Sequence, residues 1–208
     1  MPKQVDREAR RREVVDALFR VAVRDGLQRA SLRAVADEAR LNIGSVRHYF
    51  AGQEELIRFA MRSMVDRVGD RLQRRIDDFG ELDGLSGPQV RRFAMELLSE
   101  LLPLDDRRRA EVTVLVDFST AARTDPALDG LAHETAVATR ALVRRILTRL
   151  DSAGGLRPGL HVETETERLT SLLDGLAFTA VLRPEVLDDR TCATVLRAHL
   201  DDLGPAAD

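Results

Sequence analysis

Cysteine occurs once in this sequence, at Cys192, so no disulfide can form within the chain and a reducing compartment suits it. No apolar run reaches the roughly 18 residues that a membrane-spanning helix needs. The opening residues are charged and lack an apolar core segment, so a secretory leader is not expected either; the expected location is cytoplasmic, with no membrane partner. Strand signals are nearly missing, and no Asn-Gly or Asp-Gly turn joins alternating segments. There is no glycine-rich phosphate loop, no nucleophile elbow and no Cys-x-x-Cys pair, which leaves an enzyme little to stand on and implies no cofactor. His161 with Glu163, Glu165 and Glu167 has the residue types of a metal site. Acidic residues at a helix start are favoured by the helix dipole anyway, so no metal is expected there.

What is present is an ordinary globular balance over 208 residues, 44% hydrophobic and 32% charged, enough for one large domain or a small one joined to a larger. The net charge of −3 conceals an asymmetry. Residues 1–50 hold 11 Lys and Arg against 7 Asp and Glu, a balance of +4, while the remaining 158 residues hold 21 against 28, a balance of −7. A basic head on an acidic body is what a polyanion-binding module on a separate scaffold would show. Arginine far outnumbers lysine, a bias that suits a GC-rich genome more than any one function.

Helical periodicity predicts an all-α fold of about nine helices. The first, from about Asp6 to Arg24, places Val15, Leu18, Phe19 and Ala22 on one face, and Gly26 follows as a stop. Ser31 reads as the N-cap of a short second helix whose inner face is Leu32, Val35, Ala36 and Ala39. Asn42 reads as the N-cap of a short third helix, with Val46, Tyr49 and Phe50 inward and Ser45, Arg47 and His48 outward. A long fourth helix follows Gly52. Gly84 to Pro88 is the clearest break, and Pro88 suits the start of a fifth helix. The sixth, apolar nearly all round from Val112 to Ala122, is expected to be enclosed by neighbours. The seventh turns Leu128, Leu131, Thr135, Ala138, Leu142 and Ile146 inward. Broad apolar faces mark an eighth helix, around Leu169 to Ala180, and a ninth, around Cys192 to Leu203.

Short helices two and three, joined by a turn of three to four residues, describe a helix-turn-helix. Small Ala36 and Ala39 let the third helix cross the second. Gly44 and Ser45 leave its N-terminal end free of bulk, as an approach to a DNA major groove requires. The stretch SLRAVADEARLNIGSVRHYFAGQEEL, from Ser31 to Leu56, resembles the DNA-binding signature of the tetracycline-repressor (TetR) family of bacterial regulators. The matching features are Ala36 and Ala39, the Gly44-Ser45-Val46 helix start, Tyr49-Phe50, and Glu54-Glu55-Leu56. The segment from Phe118 to Pro126 is similar to the BetI-like C-terminal group. Three positions depart from the family pattern. Arg40 stands where a glycine is usual, which suggests an altered turn; Arg47 replaces a DNA-facing tyrosine; and Gln53 replaces a lysine.

The resemblance implies a DNA-binding domain over 1–52 and a ligand-binding and dimerisation domain over 53–208. It makes Gly44, Ser45, Arg47 and His48 candidates at the groove, and Ser31, Arg33, Asn42, Tyr49 and Gln53 candidates for phosphate contacts. Tyr49 fits an inward packing role as well, and Ser31 can cap and touch phosphate together. The expected partners are a double-stranded operator, a second copy of the chain and an unidentified small-molecule effector. Met61, Met64, Phe93, Phe118 and Phe178 are candidate pocket lining, though the same residue types suit plain core. Leu172, Leu176, Ala180, Val195, Leu196 and His199 are candidate dimer contacts, with an ordinary core face as the alternative. The implied function is a repressor released from a near-palindromic operator by its ligand. The other readings are a ligand-dependent activator, or a helical ligand-binding protein that does not read DNA.

Overall fold

A computed structural model describes residues 2–79 and 84–205, with the backbone alone for residues 2–6. Among the described residues there are nine α-helices and no strand: α1 (Pro2–Asp25), α2 (Leu32–Glu38), α3 (Ile43–Tyr49), α4 (Gln53–Phe79), α5 (Gly87–Leu98), α6 (Asp106–Ala122), α7 (Pro126–Ser152), α8 (Val162–Leu182) and α9 (Asp189–Asp202). A 3-10 turn, Leu27–Arg29, separates α1 from α2, and another, Ser99–Leu101, follows α5. The all-helical expectation holds.

The chain forms two compact units. One comprises Met1–Arg67 and Thr113–His133, the other Val68–Val112 and Glu134–Asp208. Helices α4, α6 and α7 therefore each contribute residues to both.

The first unit packs around Val14, Leu18 and Val21 of α1, Val35 and Ala36 of α2, Val46 and Phe50 at α3, Leu56, Ala60 and Met61 of α4, and Val114 and Phe118 of α6. Burying a large apolar side chain contributes about 1.5–3 kcal/mol, so this contiguous set supplies most of what holds the short helices α2 and α3, which are too short to persist alone. Arg11 adds a polar element to the apolar set. Its guanidinium carbon lies 3.9 Å from the Phe59 ring centroid and 5.1 Å from that of Phe50. That cation–π stack joins α1 to the end of α3 and the start of α4.

In the second unit the core runs through Val90, Phe93, Leu97 and Leu98 of α5, Val143, Leu147 and Leu150 of α7, Leu169, Leu173 and Ala180 of α8, and Cys192, Leu196 and Leu200 of α9. The Phe79 and Phe93 rings meet at 4.3 Å between centroids. Close approach is built in at Gly87 and Gly155, where a Cβ on Gly87 would sit 2.7 Å from the Gly155 Cα. A buried carboxylate lies in the same unit. Glu100 accepts hydrogen bonds from Arg71 (3.0 Å), Arg75 (2.6 Å) and Arg107 (3.3 Å), and Arg108 stands 4.0 Å away. Arg71 also grips Glu111 through both terminal nitrogens, at 3.1 and 2.5 Å. Burial penalises the Glu100 charge, but hydrogen bonds from Arg75 and Arg71, with the nearby charges of Arg75 and Arg108, outweigh it. The carboxyl is held below its ordinary value.

Three local expectations need correction. The first helix begins at Pro2, ahead of Asp6. The sixth begins at Asp106 and is not enclosed all round, because Ser119 and Thr120 face solvent and Leu115 and Val116 are half-buried. On α7, Ala138 is exposed; Leu128 is buried in the first unit's core, Leu131 and Thr135 are half-buried, and the buried stripe of Leu142, Val143, Ile146, Leu147 and Leu150 begins one turn after Ala138.

Candidate nucleic-acid interface

Helix α3 is fixed at its N-terminus by short-range chemistry. The Asn42 side chain accepts a hydrogen bond from the Gly44 N–H at 2.7 Å, capping its N-terminus. Ser31 does the same for α2, accepting from the Ala34 N–H at 3.2 Å. Between them, α2 ends in a Schellman turn. The Leu41 N–H donates to the Ala36 carbonyl (2.9 Å) and the Arg40 N–H to the Asp37 carbonyl (3.1 Å), with Arg40 at φ +55°. The turn keeps the left-handed geometry that glycine ordinarily supplies, so the altered turn suggested by Arg40 is not found. A side chain in that conformation costs roughly 1–2 kcal/mol, borne by the packing around it.

The inner face of α3 carries Val46, fully buried, and Phe50 just beyond its end, also fully buried. Tyr49 is half-buried, packs against the first unit's core and meets the His48 ring edge-on at 5.3 Å. Gly44, Ser45, Arg47 and His48 face solvent on the outer side, as their spacing predicts. Asn42, Arg33 and Arg40 are exposed too, and Ser31 is half-buried. Among the described residues no ion pair engages Arg33, Arg40 or Arg47. Cations left unpaired on one surface are what a phosphate backbone can recruit. Gln53, at the start of α4, turns its amide toward the Gln28 carbonyl at 3.4 Å.

Glu38 pins α2 to α1 by accepting from Arg20 at 2.7 Å and from Arg24 at 2.8 Å. Those hydrogen bonds, Arg24's first, hold its carboxyl below the ordinary value. The 3-10 turn before α2 is held from α6: Asp117 accepts the Leu27 N–H at 3.0 Å, across 90 residues of sequence. Asp117 was not among the sequence candidates. Periodicity shows it only as a polar residue on an apolar helix, and no local pattern marks its distant partner.

The pocket candidates separate. Met61, Met64 and Phe118 share the first unit's core, Phe93 belongs to the second unit's core, and Phe178 is 50% exposed. Phe178 lies roughly 200° around α8 from Leu176, which places it opposite the buried stripe. Of the dimer candidates, Leu176, Ala180 and Leu196 are buried within their own chain, while Leu172, Val195 and His199 are half-buried. Burial pushes the His199 imidazole down toward its neutral form, against the charges of Glu165 and Asp202, and its Nε2 is buried without a hydrogen-bond partner. Phe178, Leu182 and Val186, spaced four residues apart, are 50%, 51% and 69% exposed. The acidic residues that open α8 are engaged with arginines. Glu163 pairs with Arg140 and Arg144, Glu167 with Arg140, and Glu165 with Arg168.

Residues 14–59 match the family described as bacterial regulatory proteins of the tetR family, and residues 90–205 match the one described as BetI-type transcriptional repressor, C-terminal. The HTH-type transcriptional regulator PksA of Bacillus subtilis (strain 168) is 32% identical over 203 residues, 98% of this chain and 94% of that relative. Among solved structures, a transcriptional regulator from Rhodococcus sp. Rha1 aligns with a TM-score of 0.77 and 30% identity, over 93% of this chain and 95% of that one. The SmeT–triclosan complex aligns with a TM-score of 0.73 over 96% of this chain and 93% of that one; at 21% identity the likeness speaks to the fold alone. No described helix is long and apolar enough to cross a membrane.

Proposed function

The chain belongs to the TetR family of DNA-binding transcriptional regulators, and from that premise we propose that it is a homodimeric repressor released from a near-palindromic operator by a small-molecule effector. The observation that carries the reading is the outer face of α3. It presents Gly44, Ser45, Arg47 and His48 to solvent on a helix capped by Asn42, next to the exposed Arg33 and Arg40. In this reading Arg47 takes a guanine edge through two hydrogen bonds, with Ser45 and His48 beside it. Ser31, Arg33, Asn42, Tyr49 and Gln53 set the register against phosphates. Ser31 and Asn42 keep lone pairs free for a second partner after capping, so the two roles are compatible.

The two-fold symmetry of this reading is supported by what the protomer leaves uncovered. Phe178 and Leu182 form an apolar strip on α8 that supports a second copy as its cover, with Leu172, Val195 and His199 as half-buried flanks. Leu176, Ala180 and Leu196 would support that interface from behind rather than touch the partner. Phe178→Glu should leave a folded monomer in sedimentation; an unchanged dimer would place the interface elsewhere. For the effector, the abundance of apolar side chains and the triclosan held by SmeT favour an uncharged, largely apolar or aromatic compound.

The test is selection of bound duplexes from a random DNA library by the purified protein at moderate salt. The reading expects a two-fold symmetric site. Recovery of no sequence above background by folded, dimeric protein would overturn it.

A further inference from the structure

We propose that Asp117 of α6 is a positioning residue for DNA reading, fixing the start of α2 through the turn at Leu27–Arg29. The inference rests on the DNA-reading role of the helix-turn-helix. Leu27 is buried, and the first N–H of a 3-10 turn has no partner inside the turn. An unpaired N–H there would be costly, and the Asp117 carboxylate takes it at 3.0 Å. Gly26 makes the approach possible. Its φ of +89° with ψ of 150° lies in a region open essentially to glycine alone, and the chain turns there directly toward Asp117. On the other side of the turn the Gln53 amide meets the Gln28 carbonyl at 3.4 Å.

The turn is thus held by one residue from α6 and one from α4, and it leads immediately into the reading elements. The Ala30 N–H donates to the Leu27 carbonyl (3.1 Å), the Ser31 N–H donates to the Arg29 carbonyl (2.8 Å), and Ser31 caps α2. A shift of the turn therefore moves Ser31 and Arg33, the proposed phosphate contacts. It leaves Arg47 on α3 attached to its own cap at Asn42. Asp117 lies within the stretch that matches the BetI-type C-terminal family, whereas Leu27 lies within the stretch that matches the DNA-binding family. Both belong to one compact unit. A residue of the C-terminal sequence is built into the reading head.

The prediction has a signature that a purely structural role lacks. Phosphate contacts carry no sequence information, so Asp117→Ala should weaken binding to the selected duplex by about tenfold and by the same factor for every single-base variant of it. Asp117→Asn, which keeps an acceptor oxygen, should stay within about threefold of the parent protein. Thr120→Ala, on the exposed side of the same helix, should bind as the parent does. Amide exchange at Leu27 in the free protein should be fastest in Asp117→Ala and intermediate in Asp117→Asn. Faster exchange at Leu27 in Asp117→Ala with unchanged affinity overturns the role; should that variant fail to fold, Asp117→Ser, whose side chain is shorter, takes its place with the same expectations. Loss of base discrimination at one position, or equal damage by both variants, overturns it as well. If the parent protein binds no duplex at all, the DNA-reading conclusion fails first, and the Leu27 exchange pattern still reports whether Asp117 holds the turn.

Discussion

In the first unit, Arg33, Arg40 and Arg47 stand exposed around α2 and α3 with no ion pair among the described residues, whereas in the second, Arg71, Arg75, Arg107 and Arg108 gather around the buried Glu100. The contrast teaches that one residue type serves two purposes according to what surrounds it. Exposed and unpaired, a guanidinium keeps its donors for a partner that arrives from solution. Placed against a carboxylate removed from water, its donors are already engaged, and it fixes one helix against another. The first use makes binding depend on salt, and the second makes folding depend on acid.

Removing the anion from the second cluster should have the largest effect. Glu100→Ala leaves Arg71 half without its partners in a mostly buried setting and should cost about 3 kcal/mol. At two to four degrees per kcal/mol, that lowers the melting temperature by roughly 6–12 °C in circular dichroism. A melting temperature within a degree of the parent would show that the cluster is only decorative. Acid should reproduce the loss. The Glu100 carboxyl is lowered in the folded protein from its ordinary value of 4.5, so its contribution is complete above that value and disappears as pH falls through the lowered one. The melting gap between the parent and Glu100→Gln should therefore narrow below pH 4.5; a gap constant with pH would mean that the ionised form gains nothing there.

On the exposed side, Arg33→Ala should weaken operator binding severalfold for all sequences alike and reduce the slope of log affinity against log salt by about 1, read in binding titrations at several salt concentrations. An unchanged slope would remove Arg33 from the phosphate contacts. The smallest effect separates backbone from charge. Arg40→Gly relieves about 1–2 kcal/mol of left-handed strain but adds about 0.5–1 kcal/mol of unfolded-chain freedom. Relief wins, so stability should rise by roughly 0.5–1 kcal/mol, or roughly 2 °C in the melt. A lower melting temperature would show that the Arg40 side chain makes a compensating contact.

Much of the reading head was legible because its determinants are local. Ser31 and Asn42 announce caps by residue type and position, and Val46 and Phe50 against Ser45, Arg47 and His48 divide α3 into two faces by spacing alone. Arg40 was legible as a departure, but sequence could not tell that its backbone adopts the left-handed conformation anyway. Illegible features depend on partners far apart in sequence. Asp117 meets Leu27 across 90 positions, and Glu100 draws arginines from α4 and α6. The α8 candidates show a different difficulty. An apolar residue on a broadly apolar helix can face core or solvent, and a shift of two positions separates buried Leu176 from exposed Phe178. Periodicity finds the helix, but the neighbours choose the face.

The account stands or falls on Arg47. The direct measurement is the base preference of the parent protein and of Arg47→Ala over all single-base variants of the selected duplex, at one salt concentration. The account predicts a loss of discrimination of about 1–3 kcal/mol at one symmetric base pair in each half-site, with preferences elsewhere unchanged. A uniform loss at every position, or none at all, would contradict the claim that the outer face of α3 reads sequence.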